Sequence, residues 1–428
     1  MSEEKFDAII VGGGLAGCIT GYLLAKAGLE TLIIERGNFA GSKNMTGGRL
    51  YAHSIEKIFP NFAEDAPVER LIVHEKISFM NEQSNVTMDY STTKADDCAS
   101  RSYTVLRAKF DRWIANKAEE AGASIITGIR VDDIMTRDGN VCGVIAGGEE
   151  MEANVVVLAD GVNSILGEKL GMVSNVTSHT CAVGVKEVIQ LTKEQINDRF
   201  ACTDKEGAAW LFAGLPSAGY MGGGFLYTNE DSVSLGIVFG LHNVEKVDKS
   251  IPQMLEDFKN HPSIKPLISG GKSVEYSAHV VPEGGYNMLP NMVGNGVVIV
   301  GDAAGLCLNV GYTVRGMDLA IASGEIAANV IIAAKEKNNF TKESLSIYTK
   351  ELENNFIMKD LKLYKDLPSF LDNKRMFNDY PEMVSNIMKG IFTVNGPSQP
   401  LRKVIVPHLK KVGFMNLIKD GFKGVKSI

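Results

Sequence analysis

The residues with the clearest chemical use stand at the start of the chain. Gly12, Gly14 and Gly17 form a G-x-G-x-x-G pattern that also holds Gly13, Leu15 and Ala16, and Glu35 follows 18 positions after the last glycine. In such a pattern the first glycine allows a tight turn and the second lets a pyrophosphate approach the backbone. The third lets a helix pack closely on a strand. The phosphates then meet free N–H groups at a helix N-terminus, where the helix dipole favours negative charge. Glu35 is placed to accept hydrogen bonds from adenosine ribose hydroxyls. The pattern predicts a dinucleotide site, and by itself it does not separate NAD from FAD.

Other catalytic constellations are not signalled. The seven histidines show no metal-ligand spacing, and no G-x-S-x-G nucleophile motif occurs. The six cysteines (Cys18, Cys98, Cys142, Cys181, Cys202 and Cys307) are scattered singly with no C-x-x-C. No zinc site, iron–sulfur cluster or disulfide framework is therefore expected within the chain, and a reducing compartment is. The lack of an acid–base set suits outer-sphere electron transfer, which needs a positioned cofactor rather than a general base.

These residues require particular elements around them. Residues 6–11 (FDAIIV) read as a buried parallel strand, the following ITGYLLAKAG as a helix closed by Gly28, and TLIIE as a second strand ending at Glu35. Residues 107–121 read as a helix with Phe110, Trp113, Ile114 and Ala118 on one side, and 153–158 as another buried strand. From about 180 to 250 the pattern turns β-rich, with the glycine cluster 219–224. The strand 297–300 leads into Gly301-Asp302, a long helix follows over roughly 316–336, and the last ninety residues read as mostly helical. The expected division is a discontinuous dinucleotide-binding unit of 1–178 plus 275–340, a β-rich substrate unit of 179–274 and a helical region of 341–428.

Composition narrows the function classes. With 428 residues, 45% hydrophobic and 22% charged, the chain reads as globular, with room for two or three domains. A net charge of -7 argues against nucleic acid as a partner. The acidic start does not read as a signal peptide, and no run of about 18 apolar residues predicts a membrane span. The tail 399–428 differs, with seven basic residues, one acid (Asp420) and interleaved apolar positions. It is expected to serve membrane or partner contact, which places the protein in the cytoplasm, peripherally on the inner face of the cell membrane.

Gly301-Asp302 at a strand end, with Ala159-Asp160-Gly161 at another, resembles the FAD fingerprints of glutathione-reductase-type flavoproteins. The fold class that this implies is α/β, a Rossmann FAD-binding domain with an inserted β-rich domain and a C-terminal helical region. A closer resemblance is carried by GGGLAG (12–17), GVKEV (184–188), GGGFLY (222–227), residues 260–286 and GDAAGLCLNVGYTVRGMDLAIASGE (301–325). From about residue 5 to the C-terminus the chain is similar to electron-transfer-flavoprotein:quinone oxidoreductases, and most of all to the FixC subunits of Fix complexes.

That resemblance implies FAD as cofactor and electron transfer from an electron-transfer flavoprotein to membrane quinone. It places FAD contacts at Gly12, Gly14, Leu15, Ala16 and Gly17, at Glu35 and Arg36, and at Gly47 and Gly48 within the segment 41–48. Further contacts are implied at Arg107, at Ala159, Asp160 and Gly161, at Gly301 and Asp302, and at Gly311, Thr313, Val314, Arg315 and Gly316. The helix starting near Gly316 would point its N-terminus at the flavin pyrimidine ring and favour the anionic reduced flavin. The stretch 219–227 would wall a quinone pocket, and no side chain is implied as catalytic. The quinone oxidoreductases carry a [4Fe–4S] cluster on four cysteines of a C-terminal ferredoxin-like domain, whereas here no cysteine follows Cys307. FixC-type proteins depart in the same way and work with a separate small ferredoxin-like subunit, FixX, in complexes associated with electron bifurcation among NADH, ferredoxin and quinone. Looser resemblances are to geranylgeranyl reductases, which reduce isoprenoid C=C bonds, and to aromatic hydroxylases. The hydroxylases often place an arginine after the Asp-Gly motif, where Leu166-Gly167 stand here. A flavin-binding scaffold is the non-enzymatic alternative.

Overall fold

The structure, a computed structural model, describes residues 5–43, 48–92, 100–174 and 177–427. Gly47 and Cys98 lie outside the described residues. The apolar run Phe6–Val11 forms strand β1, Leu15–Lys26 forms helix α1 and Thr31–Glu35 forms strand β2. β1 lies between two parallel neighbours, with Ala8 opposite Thr31 on β2 and opposite Val155 on the strand Glu149–Leu158. The sheet continues to Ser124–Thr127 beyond β2 and to Val297–Ile299 beyond Glu149–Leu158. Burial on both faces explains why these strands are nearly unbroken Ile, Val, Leu and Ala: Ile9, Ile10, Val155, Val156 and Val298 are fully buried.

Close backbone approach fixes α1 on this sheet. Gly12 adopts φ +109, a left-handed conformation that a side chain would strain, and a Cβ there would strike the Ala159 carbonyl. A Cβ on Gly17 would overlap the Gly12 carbonyl oxygen. On its far side α1 crosses the helix Met317–Glu336, where a Cβ on Gly324 would come within 2.6 Å of the Ala16 carbonyl oxygen. Thr20 ties the crossing by donating to the carbonyls of Ala16 (2.8 Å) and Gly324 (3.1 Å). Met317–Glu336 is long and apolar enough to cross a membrane, yet Leu319, Ile321, Ala327 and Ile331 are fully buried in the core.

A second, mixed sheet stands over the carboxyl ends of the first. Its strands run in the order Lys272–Pro282, Cys181–Gln190, Ser232–Gly240, Gly222–Thr228, Glu206–Gly214, Val68–Met80, Ser102–Val105 and Arg49–Tyr51, with Asn85–Ser91 paired to Val68–Met80. The expected division along the chain does not follow the sheets. Four strands between residues 49 and 105 come from the segment expected to be FAD-binding, and the strand Lys272–Pro282 crosses the expected boundary into its second part at 275. The reason is Arg70, fully enclosed on Val68–Met80, whose guanidinium donates to the carbonyls of Asn229, Thr203, Glu206 and Glu230 and to Asn197 Oδ1. It stitches the earlier strands to the later ones, and a single charged residue in a strand gives no sign of that in the sequence.

The helical C-terminal region is as expected, with Asp379–Phe392, Leu401–Val412 and Phe414–Ser427 as its longest members. The terminal helix is pinned by its one acid. Arg375 donates to both Asp420 oxygens (2.6 and 2.7 Å), and the Tyr380 hydroxyl donates to one of them at 2.7 Å.

Two predictions follow from this packing. Gly17→Ala forces a methyl into the Gly12 carbonyl and is expected to destabilise the fold by about 1–3 kcal/mol, read by urea unfolding. Arg375 and Tyr380 hold the Asp420 carboxyl far below its ordinary value. In the pH window between that depressed value and about 3.9 the unfolded chain binds the extra proton, so stability rises with pH. The stability difference between wild type and Asp420→Asn is therefore full above about pH 4 and shrinks as pH falls, measurable by unfolding at a series of pH values.

Candidate functional site

The parallel strands end in a row along one crevice. Gly12 follows β1, Glu35 ends β2, Ala159 follows Glu149–Leu158, and Gly301 follows the strand Val297–Ile299 by one residue. Ladder bonds continue into these positions: Gly12 donates to Ile34, Ala159 to Val11, and Val300 to Leu158. Ligands of open α/β sheets bind outside such carboxyl ends.

Two cavities open there and share Gly14, Ala159 and Gly161 on their walls. The first, of about 340 Å³, is lined by Gly12, Glu35, Arg36, Asp160 and His279, with Lys43, Arg130 and Lys169 at its basic edge. Glu35 is buried and accepts from the Gly13 N–H at 2.8 Å and the Gly37 N–H at 2.6 Å, which ties the glycine turn to the end of β2. Asp160 has one oxygen within 3.4 Å of the Leu166 N–H, and its Oδ1 is buried without a partner among the described residues. Burial pushes the Asp160 carboxyl above its ordinary value, and burial followed by Arg107 and Arg36 pushes the His279 imidazole below its own.

The second cavity, of about 280 Å³, lies between the two sheets. One side carries Gly14, Leu15, Ala16, Gly48, Arg107 and Asp302, then Gly311, Val314, Arg315 and Gly316. The opposite side is apolar and comes from the second sheet: Leu211, Phe212, Met221, the glycines 222–224, Phe225, Tyr227 and Val238. Leu371 and Phe377 of the C-terminal region close it. Met317–Glu336 begins at this wall with Gly316 as its N-cap, so its positive dipole end faces the cavity.

Charge in this cavity is arranged unevenly. Arg107 forms a bidentate pair with the fully buried Asp111 at 2.7 and 2.8 Å. Burial draws its guanidinium downward, and Asp111, with a smaller push from Asp302, more than reverses that. The Asp302 side chain accepts no hydrogen bond from any described residue; burial pushes it above the ordinary carboxylate range while Arg107 opposes the shift. Arg315 lines the cavity, but its guanidinium is committed to Asp318 (2.6 Å) and Asp360 (2.6 Å).

The structure thus gathers most of the residues singled out in the sequence. Gly17 and Gly301 line neither cavity; they pack, Gly17 on Gly12 and Gly301 on Ala16. Thr313 falls in a small adjoining recess with Arg49, Tyr51 and Glu75. Glu283, Asn309, Leu371 and Phe377 line the second cavity without having been singled out. Glu283 stands inside the resembling stretch 260–286, which was the one signal for it.

The residues present suit FAD. Gly14 of the glycine turn lines both cavities, Asp160 keeps a buried oxygen with no partner among the described residues, and the Asp302 side chain, which accepts no hydrogen bond from them, lines the second cavity. Three family models match the chain: "FAD binding domain" over residues 5–212, "ETF-QO, ubiquinone-binding" over 181–281, and "ETF-QO/FixC family C-terminal domain" over 367–428. The chain is 58% identical over 429 residues to the probable electron transfer flavoprotein-quinone oxidoreductase YdiS of Escherichia coli (strain K12), covering 100% of both chains. It is 59% identical over 426 residues to protein FixC of Escherichia coli O157:H7, covering 99% of both.

The chain belongs to the ETF-QO/FixC family. It is an FAD-dependent oxidoreductase, and the family's activity is FAD-dependent electron transfer to quinone. Among solved structures it resembles a geranylgeranyl bacteriochlorophyll reductase-like protein from Thermoplasma acidophilum, with a TM-score of 0.73 and 20% identity over 98% of this chain and 99% of that one. It also resembles the myxobacterial chondrochloren halogenase CndH, with a TM-score of 0.65 and 18% identity over 98% and 99%. At those identities the likeness is one of fold. The family's ubiquinone-binding match covers the strands that form the apolar wall.

Arg107→Met leaves the buried Asp111 without its bidentate cation. It is expected to weaken FAD binding at least tenfold, read by flavin fluorescence on titration of the apoprotein.

Proposed function

We propose that this chain takes electrons from an electron-transfer flavoprotein and passes them through FAD to membrane quinone as a FixC-type subunit. It would work beside a separate small ferredoxin-like [4Fe–4S] subunit in a bifurcating NADH/ferredoxin/quinone complex. The observation that carries the reading is the second cavity, where the residues of the dinucleotide side face the apolar wall that matches the ubiquinone-binding family model.

FAD, when bound, accepts and releases electrons singly or in pairs and so matches a one-electron donor to a two-electron quinone. The chain's own residues hold and insulate it. The N–H groups at the start of α1 receive the pyrophosphate, and Glu35 and Asp160 receive hydroxyls on the adenosine side. Asp302 takes the ribitol side and Arg107 braces that wall. The helix start at Gly316 and Met317 offers partial positive charge to electron density arriving in the cavity. Phe212, Met221, Phe225 and Leu371 exclude water from it.

Membrane contact is assigned to the terminal helix Phe414–Ser427. Its exposed apolar residues Phe414, Met415, Ile418, Phe422 and Val425 lie within one face, with Phe422 75% and Val425 81% exposed. Lys419, Lys423 and Lys426 flank that face, and Asp420, Gly424 and Ser427 point into the body. A polar-flanked apolar stripe turned outward suits an interfacial helix on the inner face of the cell membrane.

Anaerobic reoxidation of the photoreduced holoprotein by a short-chain quinone tests the electron-transfer reading. Fast reoxidation is expected, alone or once the ferredoxin-like subunit is added, with slow reaction toward an isoprenoid double bond; failure in both settings overturns it. For the membrane, Phe422→Asp with Val425→Asp is expected to abolish co-sedimentation with phosphatidylglycerol vesicles. Wild-type binding should weaken with salt, each lysine near the surface contributing about 1 kcal/mol.

A further inference from the structure

A cavity that hands electrons to a quinone also has to supply protons, because a quinone becomes a quinol by gaining two electrons and two protons. Most titratable groups on the walls of the second cavity are unable to give one near neutral pH. Arg49, Arg107 and Arg315 are held by Glu75, Asp111 and Asp318. The Tyr227 phenol and the Cys307 thiol are pushed far above their ordinary values by burial. Asp302 stands at the strand end on the dinucleotide side, within the field of Arg107.

Glu283 differs in place and surroundings. It follows the edge strand Lys272–Pro282 and lines the cavity beside Val281, Pro282 and Cys307. Its only side-chain partner among the described residues is Asn309, whose Nδ2 approaches the two carboxyl oxygens at 3.4 and 3.3 Å. The Asn309 amide is itself oriented, because the Gly311 N–H donates to its Oδ1 at 3.0 Å. No cation among the described residues pairs with Glu283. The groups facing it from the packed elements are Cys181 on the neighbouring strand and Cys307 in the segment after Gly301, with Asp302, Arg107 and Arg315 elsewhere on the cavity wall. Enclosure raises its carboxyl to about 7, against a small downward pull from Asn309.

We propose that Glu283 is the acid that protonates the bound quinone, with Asn309 as its positioning residue. Two electrons reach the quinone by way of FAD. The Glu283 O–H bond breaks as an O–H bond forms on one quinone oxygen, the second quinol proton comes from water, and water reprotonates the carboxylate. The proposal rests on the quinone reading above. It extends that reading by naming a catalytic residue where the sequence implied none.

The test compares wild-type, Glu283→Gln and Glu283→Asp holoproteins, each photoreduced anaerobically. The acceptors are a short-chain ubiquinone and ferricenium, a one-electron oxidant that takes no proton. Glu283→Gln is expected to slow reoxidation by quinone about 100-fold and to remove the pH dependence near 7, with ferricenium reoxidation unchanged. Glu283→Asp should restore part of the quinone rate. Infrared difference spectra between about pH 5 and about pH 9 should show a protonated-carboxyl stretch titrating near pH 7 in wild type and missing from Glu283→Gln. Equal slowing with both acceptors, an unchanged quinone rate, or an infrared band that survives the substitution overturns the proposal. Wild-type protein that ferricenium reoxidises and quinone does not, even with its partner subunit, overturns the quinone reading itself and this proposal with it.

Discussion

Backbone packed directly on backbone around the first helix is the constraint on which the other features depend. A helix can present its N–H groups to a diphosphate only if nothing lies between them, and it can hold that position only if it cannot slide. Gly17 on the Gly12 carbonyl blocks movement on one side, and Gly324 on the Ala16 carbonyl blocks it on the other. Through the second contact the position of α1 also sets that of Met317–Glu336, and so the point at which its N-terminus meets the cavity. Electron transfer asks for fixed distances rather than moving groups, and a frame without side chains at its closest contacts has few ways to relax.

Around that frame the buried and partly buried charges fall into two kinds. Arg107 with Asp111, Arg315 with Asp318 and Asp360, and Lys186 with Glu275 are matched pairs. Arg70 is matched by carbonyls. Asp160, Asp302 and Glu283 have no cation bonded to them among the described residues, and all three line the two cavities. An enclosed carboxylate without a cation is costly, and such groups are candidates for use by a ligand or a reaction.

The dinucleotide half of this arrangement was legible in the sequence because it depends on what is absent. Close approach requires glycine at positions 12 and 17, the strands that carry the site are buried on both faces, and Glu35 and Asp302 stand at strand ends. The other half was not legible. Glu283, Asn309, Leu371 and Phe377 come from separate elements and converge only through the packing of the second sheet and the C-terminal helices over the first. The membership of Val68–Met80 in that second sheet was hidden for a related reason. Its Glu69 and Arg70 are buried by partners more than a hundred residues away, so no local alternation marks its inner face. The glycine cluster 222–224 was legible as a wall only through resemblance, since a cluster of that kind is equally at home in a turn.

The short helices Leu367–Leu371 and Lys374–Phe377 turn alternate side chains in opposite directions. Leu371 and Phe377 face the cavity, while Phe370 lies under Gly424 and Arg375 grips Asp420 on the terminal helix. In mechanical terms the terminal helix is a lever bolted to the roof of the cavity. A displacement of that helix would pass through Phe370 and Arg375 to the two short helices whose Leu371 and Phe377 close the cavity.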